Sequence, residues 1–438
     1  MNSSVALPLD LPELRADAAG GTLVRRTVLP SGLRVLTESV PGAQSATVGF
    51  WVGVGSRDEQ PVTFGSTHFL EHLLFKGTPT RSALDIAISF DEVGGEHNAM
   101  TAKEFTCYYA KVRDRDLPMA VEVIRDMLEH SLLDPVEFET ERGVILEELA
   151  MAEDDPADVA GERIARAVYG AHPLGRPIGG TPESIRAVDR DAVHRHYRET
   201  HVPGSIVVTA AGAVDHDALV AALDGDGAGS PRERRTVEPV VGHGGGREFV
   251  HRPTEQANLI LGLPGLTVGD GRRSALAVLN AVLGGGMSSR LFQEVRERRG
   301  LAYSVYSFAS AYSDLGMLGL AAGCSPRNAA DVAELMLAQL QGLASDGITE
   351  AEHRRAVGQL SGASALALED SDSRMSRLGR AELSLGEFVD LDESLRRLAL
   401  VTRDEVRELA AELAAGPLSI AAVGPVDAAS FDGLTAAA

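Results

Sequence analysis

The sequence predicts an α+β fold of two homologous domains, each a mostly antiparallel β-sheet with helices packed on one face. Three observations point there. At 438 residues the chain is too long for one ordinary hydrophobic core and has room for roughly two to three domains. Strand-like and helix-like stretches are grouped rather than alternating one for one, which disfavours a parallel, doubly wound sheet. The second half also echoes the first. One apolar run ends in Gly212-Ala213-Val214-Asp215, and another, 212 residues on, ends in Gly424-Pro425-Val426-Asp427. Glu139-Thr140-Glu141-Arg142 likewise has a counterpart in Glu352-His353-Arg354-Arg355. Such self-similarity marks a duplicated unit.

The elements follow in order. Residues 1–21 are a polar lead-in, expected to be loosely ordered. Residues 22–29 and 33–40 read as strands joined by the turn Pro30-Ser31-Gly32, and 46–54 as a third strand. A helix around His68 and His72 follows, with Ser66 or Thr67 able to cap its start and Gly77 to end it. Gly94-Gly95 precedes Asn98-Ala99-Met100-Thr101, and 104–113 alternates as a strand. Pro118 opens a helix with an apolar stripe of Ala120, Val123, Ile124, Met127 and Leu128. Asp134-Pro135-Val136-Glu137 opens the next, with Asp134 as cap, and that helix runs through Glu141, Glu147 and Glu148 to Asp154-Asp155-Pro156. Further helices reach residue 199, and 205–211 is a closing strand. Residues 224–246, rich in Gly, Asp and Arg, read as the interdomain linker, so that 22–223 form one domain and 247–438 the other.

Composition narrows the function. With 44% hydrophobic and 24% charged residues the chain is an ordinary globular protein. A net charge of -22 argues against nucleic acid or an anionic membrane surface as partner. Of 41 basic residues only Lys76, Lys103 and Lys111 are lysines, a compositional bias toward arginine. Cys107 and Cys324, far apart in strand-like runs, read as small buried hydrophobes of a reducing compartment. The first residues show no basic segment followed by an apolar core, and no apolar run is long enough to span a membrane, so the expected location is the cytoplasm.

The chemistry centres on His68-Phe69-Leu70-Glu71-His72. On a helix His68 and His72 share one face, with Glu71 beside them. Two imidazoles so placed bind one zinc ion, and a neighbouring carboxylate can take a proton from water at the metal. The order His-x-x-Glu-His marks the inverted zincins. The bland alternative is an amphipathic helix with surface histidines. A catalytic zinc needs a third protein ligand. Glu141 and Glu148, seven apart, share a face of their helix, while Glu147 points about 100° away from Glu148. Spacing alone does not choose among them, and a solvated acidic face is the ordinary reading of such a run. His194 and His196 cannot share a helix face, and His172 reads as a loop residue.

From residue 22 to 426 the chain resembles the pitrilysin/insulinase family of zinc metallopeptidases, in particular its short two-domain branch, similar to the mitochondrial processing peptidase beta subunit and its bacterial homologues. The resemblance implies one zinc ion per chain, held by His68, His72 and Glu148, with Glu71 as the base and Glu141 as a carboxylate that orients a ligand. Gly94-Gly95 and Asn98, Ala99, Met100 and Thr101 are similar to the family's edge strand, which pairs with an extended substrate; His97 beside it is a bystander. Arg296-Glu297-Arg298-Arg299-Gly300-Leu301-Ala302-Tyr303 resembles the family's Arg/Tyr motif, in which Arg296 and Tyr303 contact the substrate carbonyl region and help stabilise the oxyanion. Shifted by 212, His68, Glu71 and His72 fall on Asn280, Leu283 and Gly284, so the second half is expected to keep the fold without the metal.

The implied activity is zinc-dependent endopeptidase action on peptides or unfolded segments. The implied assembly is a homodimer in which Arg296 and Tyr303 complete the other subunit's site, or a heterodimer with a paralogous chain. The rivals are a non-catalytic structural or partner subunit and a metal hydrolase acting on something other than peptides; residues 98–101 count against the latter. The acidic charge adds an expectation of basic residues near the cut.

Overall fold

Regular structure begins before residue 22. In the computed structural model, which describes residues 4–435 apart from 226, 236, 238 and 241 of the expected linker, the lead-in carries two strands, β1 (Ser4–Ala6) and β2 (Glu13–Ala18). Exposed Glu13, Arg15 and Asp17 alternate with half-buried Leu14, Ala16 and Ala18. That period of two lays β2 antiparallel on β3 (Thr22–Val28), from Glu13 opposite Thr27 to Ala18 opposite Thr22.

Contacts divide the chain into two units that are not the two sequence halves. The first comprises Met1–Leu149, Pro177–Arg235 and Ala365–Glu393; the second comprises Ala150–Arg176, Thr236–Ser364 and Ser394–Ala438. The expected domains, 22–223 and 247–438, are contiguous, whereas by contacts 150–176 groups with the second unit and 365–393 with the first. The physical reason is that each sheet has a second apolar face to cover.

In the first unit β4 (Arg34–Ser39), β5 (Ser45–Val52), β6 (Glu96–Thr101), β7 (Thr106–Arg113) and β8 (Ile206–Gly212) extend the sheet in the order β2-β3-β4-β8-β5-β7-β6. Only β4 with β8 is parallel. All of β8 is buried, as expected of a strand covered on both sides. One face packs on α1 (Ser66–Leu73), α2 (Ala83–Asp91), α3 (Leu117–His130) and α4 (Pro135–Asp154), with Val48, Phe50 and Tyr108 meeting Phe69, Phe90, Ile124 and Phe138. On the other face Leu36, Trp51 and Val207 meet Met375 and Leu378 of the helix Ser371–Arg380.

The second unit repeats the plan. Its strands are β9 (Arg247–Val250), β10 (Ala257–Pro264), β11 (Ala302–Ala311), β12 (Gly316–Cys324) and, after β13 (Glu387–Val389), which belongs to the first unit and pairs there with β1, the closing β14 (Ser419–Val423). The order β11-β12-β10-β14-β9, with β14 and β9 parallel, matches β6-β7-β5-β8-β4 strand for strand. Its main core lies against helices Arg273–Gly284, Ala329–Asp346 and Arg403–Ala414, while Ile260 and Ala421 on the other face take Ile164 and Val168 of α5 (Pro156–Tyr169). Cys107 and Cys324 are free and buried, and burial pushes the Cys324 thiol up to about 11. Among the described residues no helix is long and apolar enough to cross a membrane.

Candidate metal centre

The helix α1 is held from outside its own sequence. Its N-cap is Gly65 at a left-handed φ of 92°, and neither Ser66 nor Thr67 caps it. The buried Glu59 carboxylate instead accepts the Gly65 N–H at 2.8 Å and the Thr67 N–H at 2.7 Å, and its charge also suits the helix dipole. Phe69, Leu70 and Leu73 are buried, and Phe69 stacks on Phe138 of α4 with ring centroids 4.4 Å apart. That stack sets which face of α4 meets α1.

His68 and His72 stand side by side, their rings 4.8 Å apart and inclined by 76°. Opposite them Glu148 Oε2 lies 3.7 Å from His68 Nε2 and 3.4 Å from His72 Nε2. One ligand atom from each of the three residues lies within 4.8 Å of the others, the one such group of His, Cys, Asp or Glu found among the described residues. Glu147 is exposed and outside it. Glu141 is elsewhere on the same helix face: its Oε2 is 3.0 Å from His72 Nδ1 and its Oε1 is 2.6 Å from Lys76 Nζ.

The donors fit zinc. Two imidazole nitrogens and one carboxylate oxygen are a catalytic zinc set, which leaves a position open for chemistry. The Glu141 carboxylate engages His72 at Nδ1, which leaves the Nε2 lone pair for a metal. Burial, and secondarily the neighbouring His72, pushes the His68 pKa down to about 4, so this imidazole is neutral and able to ligate near pH 7.

Glu71 is not one of the three converging groups. Its Oε2 accepts a hydrogen bond from the Thr101 hydroxyl at 2.5 Å. Thr101 ends β6, the edge strand of its sheet. Ala99 and Thr101 turn inward along β6, whereas Asn98 and Met100 are exposed, and the Asn98 Oδ1 accepts the Ala99 N–H at 2.8 Å. His97 stacks on Phe90 at 4.2 Å, and buried His196 pairs with the Thr67 hydroxyl at 3.0 Å. His172 lies 3.4 Å from Asp314, in the second unit.

Arg296 and Tyr303 belong to the second unit, and the structure brings them together with each other. Arg296 lies in the last part of a π-helical turn, Phe292–Glu297, and its guanidinium lies 4.7 Å from the Phe292 ring and 4.5 Å from the Tyr303 ring. Tyr303, near the start of β11, is 76% exposed.

Two family models match the chain. One, described as Insulinase (Peptidase family M16), covers residues 34–182, and the other, described as Peptidase M16 inactive domain, covers residues 187–360. The chain belongs to the insulinase family, M16. It is 50% identical over 412 residues to an uncharacterized zinc protease of Streptomyces coelicolor, covering 92% of this chain and 90% of that protein. It is 48% identical to one of Mycobacterium tuberculosis (94% and 95% covered) and 40% identical to one of Bacillus subtilis (92% and 98%). In fold it is similar to a protease from Helicobacter pylori, with a TM-score of 0.83 at 21% identity over 92% of this chain and 99% of that one. A Pseudomonas fluorescens peptidase M16 inactive domain gives 0.80 at 19%, with the same coverage. Within this M16 chain the inactive-domain match spans Asn280, Leu283 and Gly284, the counterparts of the metal motif.

Sequence reasoning missed three residues that contact the candidate centre or its helix. Glu59 sits in a loop, where nothing in the local pattern assigns it to a helix end. Thr101 belongs in the sequence to the stretch that resembles a substrate strand, and nothing there links it to Glu71. Lys76 did carry a signal, since it follows His72 by four positions, the spacing of neighbours on a helix face.

Proposed function

We propose that this M16 chain is a zinc-dependent endopeptidase that hydrolyses peptides or unfolded protein segments. The observation that carries the reading is the convergence of His68, His72 and Glu148 beside a fourth carboxylate, Glu71, that stands outside the metal set. Bound by those three residues, a zinc ion would supply Lewis acidity, polarising a scissile carbonyl and bringing the pKa of water to roughly 7. Glu71 takes the proton of the attacking water and returns it to the departing amine nitrogen. The Thr101 hydroxyl keeps the Glu71 carboxylate in one orientation, and Glu141 does the same for the His72 ring.

Substrate is held as an added strand. The open edge of β6 offers main-chain partners to an extended peptide, with Asn98 and Met100 on one side of it and Ala99 and Thr101 on the other. Only unfolded or flexible segments can present an extended strand in this way. The charge of -22 favours peptides with basic residues near the cut. Arg296 and Tyr303 stabilise the oxyanion from a second subunit, so the active form in this reading is a cytoplasmic homodimer, with a paralogous partner chain as the alternative. A non-catalytic partner subunit would have no need of three converging donors and an oriented base.

The test is Glu71→Gln. The amide keeps the size of the side chain and an acceptor for Thr101, and leaves the three donors untouched. The variant should hold one zinc ion per chain by metal analysis and lose roughly 10²- to 10⁴-fold in turnover of a quenched peptide. Cleavage at the wild-type rate would refute the mechanism.

A further inference from the structure

Lys76 stands at the end of the single turn, Leu74–Lys76, that continues α1. Its Nζ is 2.6 Å from Glu141 Oε1, while the other oxygen of the same carboxylate, Oε2, is 3.0 Å from His72 Nδ1. Glu141 is 3% exposed, so its charge is balanced by these two contacts rather than by bulk solvent. Each oxygen therefore has one partner, and the carboxylate joins an ammonium to a candidate metal ligand.

We propose that Lys76 is a positioning residue for the metal centre. Its ammonium fixes the rotation of the Glu141 carboxylate so that Oε2 stays on His72 Nδ1 and His72 Nε2 stays turned toward Glu148 and His68. The inference rests on the zinc reading above and adds a residue to it. Two physical points favour it over a plain surface ion pair. The acceptor is buried, where a fixed charge acts more strongly than at the surface. The cation is also a lysine in a chain that places arginine at all but three of its 41 basic positions. A guanidinium is a planar fork that takes both oxygens of a carboxylate, and here it would draw Oε2 away from the histidine. An ammonium is a point donor that can hold one oxygen and leave the other.

The experiment measures zinc affinity of the full-length, metal-free protein by competition with a chromophoric chelator, which needs no peptidase activity. Lys76→Met should weaken zinc binding several-fold or more, up to the roughly 10- to 100-fold that removal of an outer partner of a metal ligand, here Glu141, costs. Glu141→Gln should weaken it comparably, and the double variant should be no worse than Glu141→Gln alone, because Lys76 acts only through that carboxylate. A merely structural role would lower the melting temperature without this dependence on Glu141. Should Lys76→Met not fold, Lys76→Gln is measured in the same cycle. Affinity within twofold of wild type in the lysine variant, or an equal loss in both backgrounds, overturns the inference and leaves the zinc reading standing. A wild-type chain that takes up no zinc overturns both.

Discussion

Glu382 is one of the groups that tie residues 365–393 to the first unit, beside the Arg374 and Arg377 pairs with Glu38 and the apolar contacts of Met375 and Leu378. It is fully buried, and three guanidiniums converge on it: Arg26 Nε at 3.2 Å, Arg34 Nη1 at 3.2 Å and Arg234 Nη2 at 3.1 Å. Arg26 and Arg34 are themselves buried; burial lowers their pKa and Glu382 opposes the shift. Glu382→Gln keeps the shape and an acceptor oxygen but leaves these cations without a balancing charge. Removing one partner of a buried ion pair costs about 3–5 kcal/mol, and with three cations affected the upper part of that range is expected. A domain stabilised by about 5–15 kcal/mol would lose a third or more of its margin. The measurement is urea unfolding followed by circular dichroism. The control is Glu350→Gln, which breaks the exposed pairs with Arg354 and Arg403 and should cost no more than about 1 kcal/mol. If the two variants unfold at the same urea concentration, Glu382 does not secure the segment and the argument from buried charge is wrong.

Two further outcomes are expected. Thr101→Val removes the hydroxyl that donates to Glu71, and loss of a hydrogen bond to a charged group costs about 1.5–3 kcal/mol, so kcat should fall roughly 10- to 150-fold while KM stays within twofold. Thr101→Ser should restore the rate, and a valine variant with wild-type kcat would end the idea. Stability should fall in mild acid in part through His201, whose pKa burial, and secondarily His196, pushes down to about 3. Because its folded pKa lies below the unfolded value of about 6.5, the unfolded chain binds a proton first. Stability from this group is intact above pH 6.5 and is lost by about 1.4 kcal/mol per pH unit between 6.5 and 3. His201→Gln should flatten that slope by one proton, and an unchanged slope in urea melts from pH 7 to 5 would assign the acid sensitivity elsewhere.

The difference between what the sequence discloses and what it withholds is one of distance. The helix α1 is legible because Phe69, Leu70 and Leu73 repeat at helical spacing, which places His68 and His72 together on the remaining face. Its cap is not legible, because Glu59 arrives from a loop with no periodicity. The spacing of seven pairs Glu141 with Glu148, but the rotation of α4 about its axis follows from the stack of Phe69 on Phe138, which only the fold provides. The grouping of 365–393 with the first unit is not legible either, for the same reason. Ser371, Met375 and Leu378 are buried at positions i, i+4 and i+7, which announces that their helix buries a face. Nothing in that pattern says whether the face meets Trp51 and Leu36 or the nearer sheet in sequence.

The duplicated half shows why a shared strand order does not carry a shared metal centre. The counterpart of α1 is the helix Arg273–Gly284, and the positions that answer to the motif are occupied by packing rather than by vacancy. Asn280 Oδ1 accepts the Ser307 hydroxyl at 2.7 Å, and Leu283 is fully buried in the core. At Gly284 a Cβ would stand 2.2 Å from the Ser307 backbone nitrogen, so the helix end and β11 touch through a residue that must have no side chain. In the first unit the corresponding edge strand, β6, meets α1 through the Thr101 hydroxyl and Glu71, on the helix that carries the two imidazoles. A candidate metal set on this helix therefore needs more than its ligands: the helix end cannot close on the edge strand as it does at Gly284. Restoring histidines at 280 and 284 would not recreate the site, because the helix would first have to move away from β11.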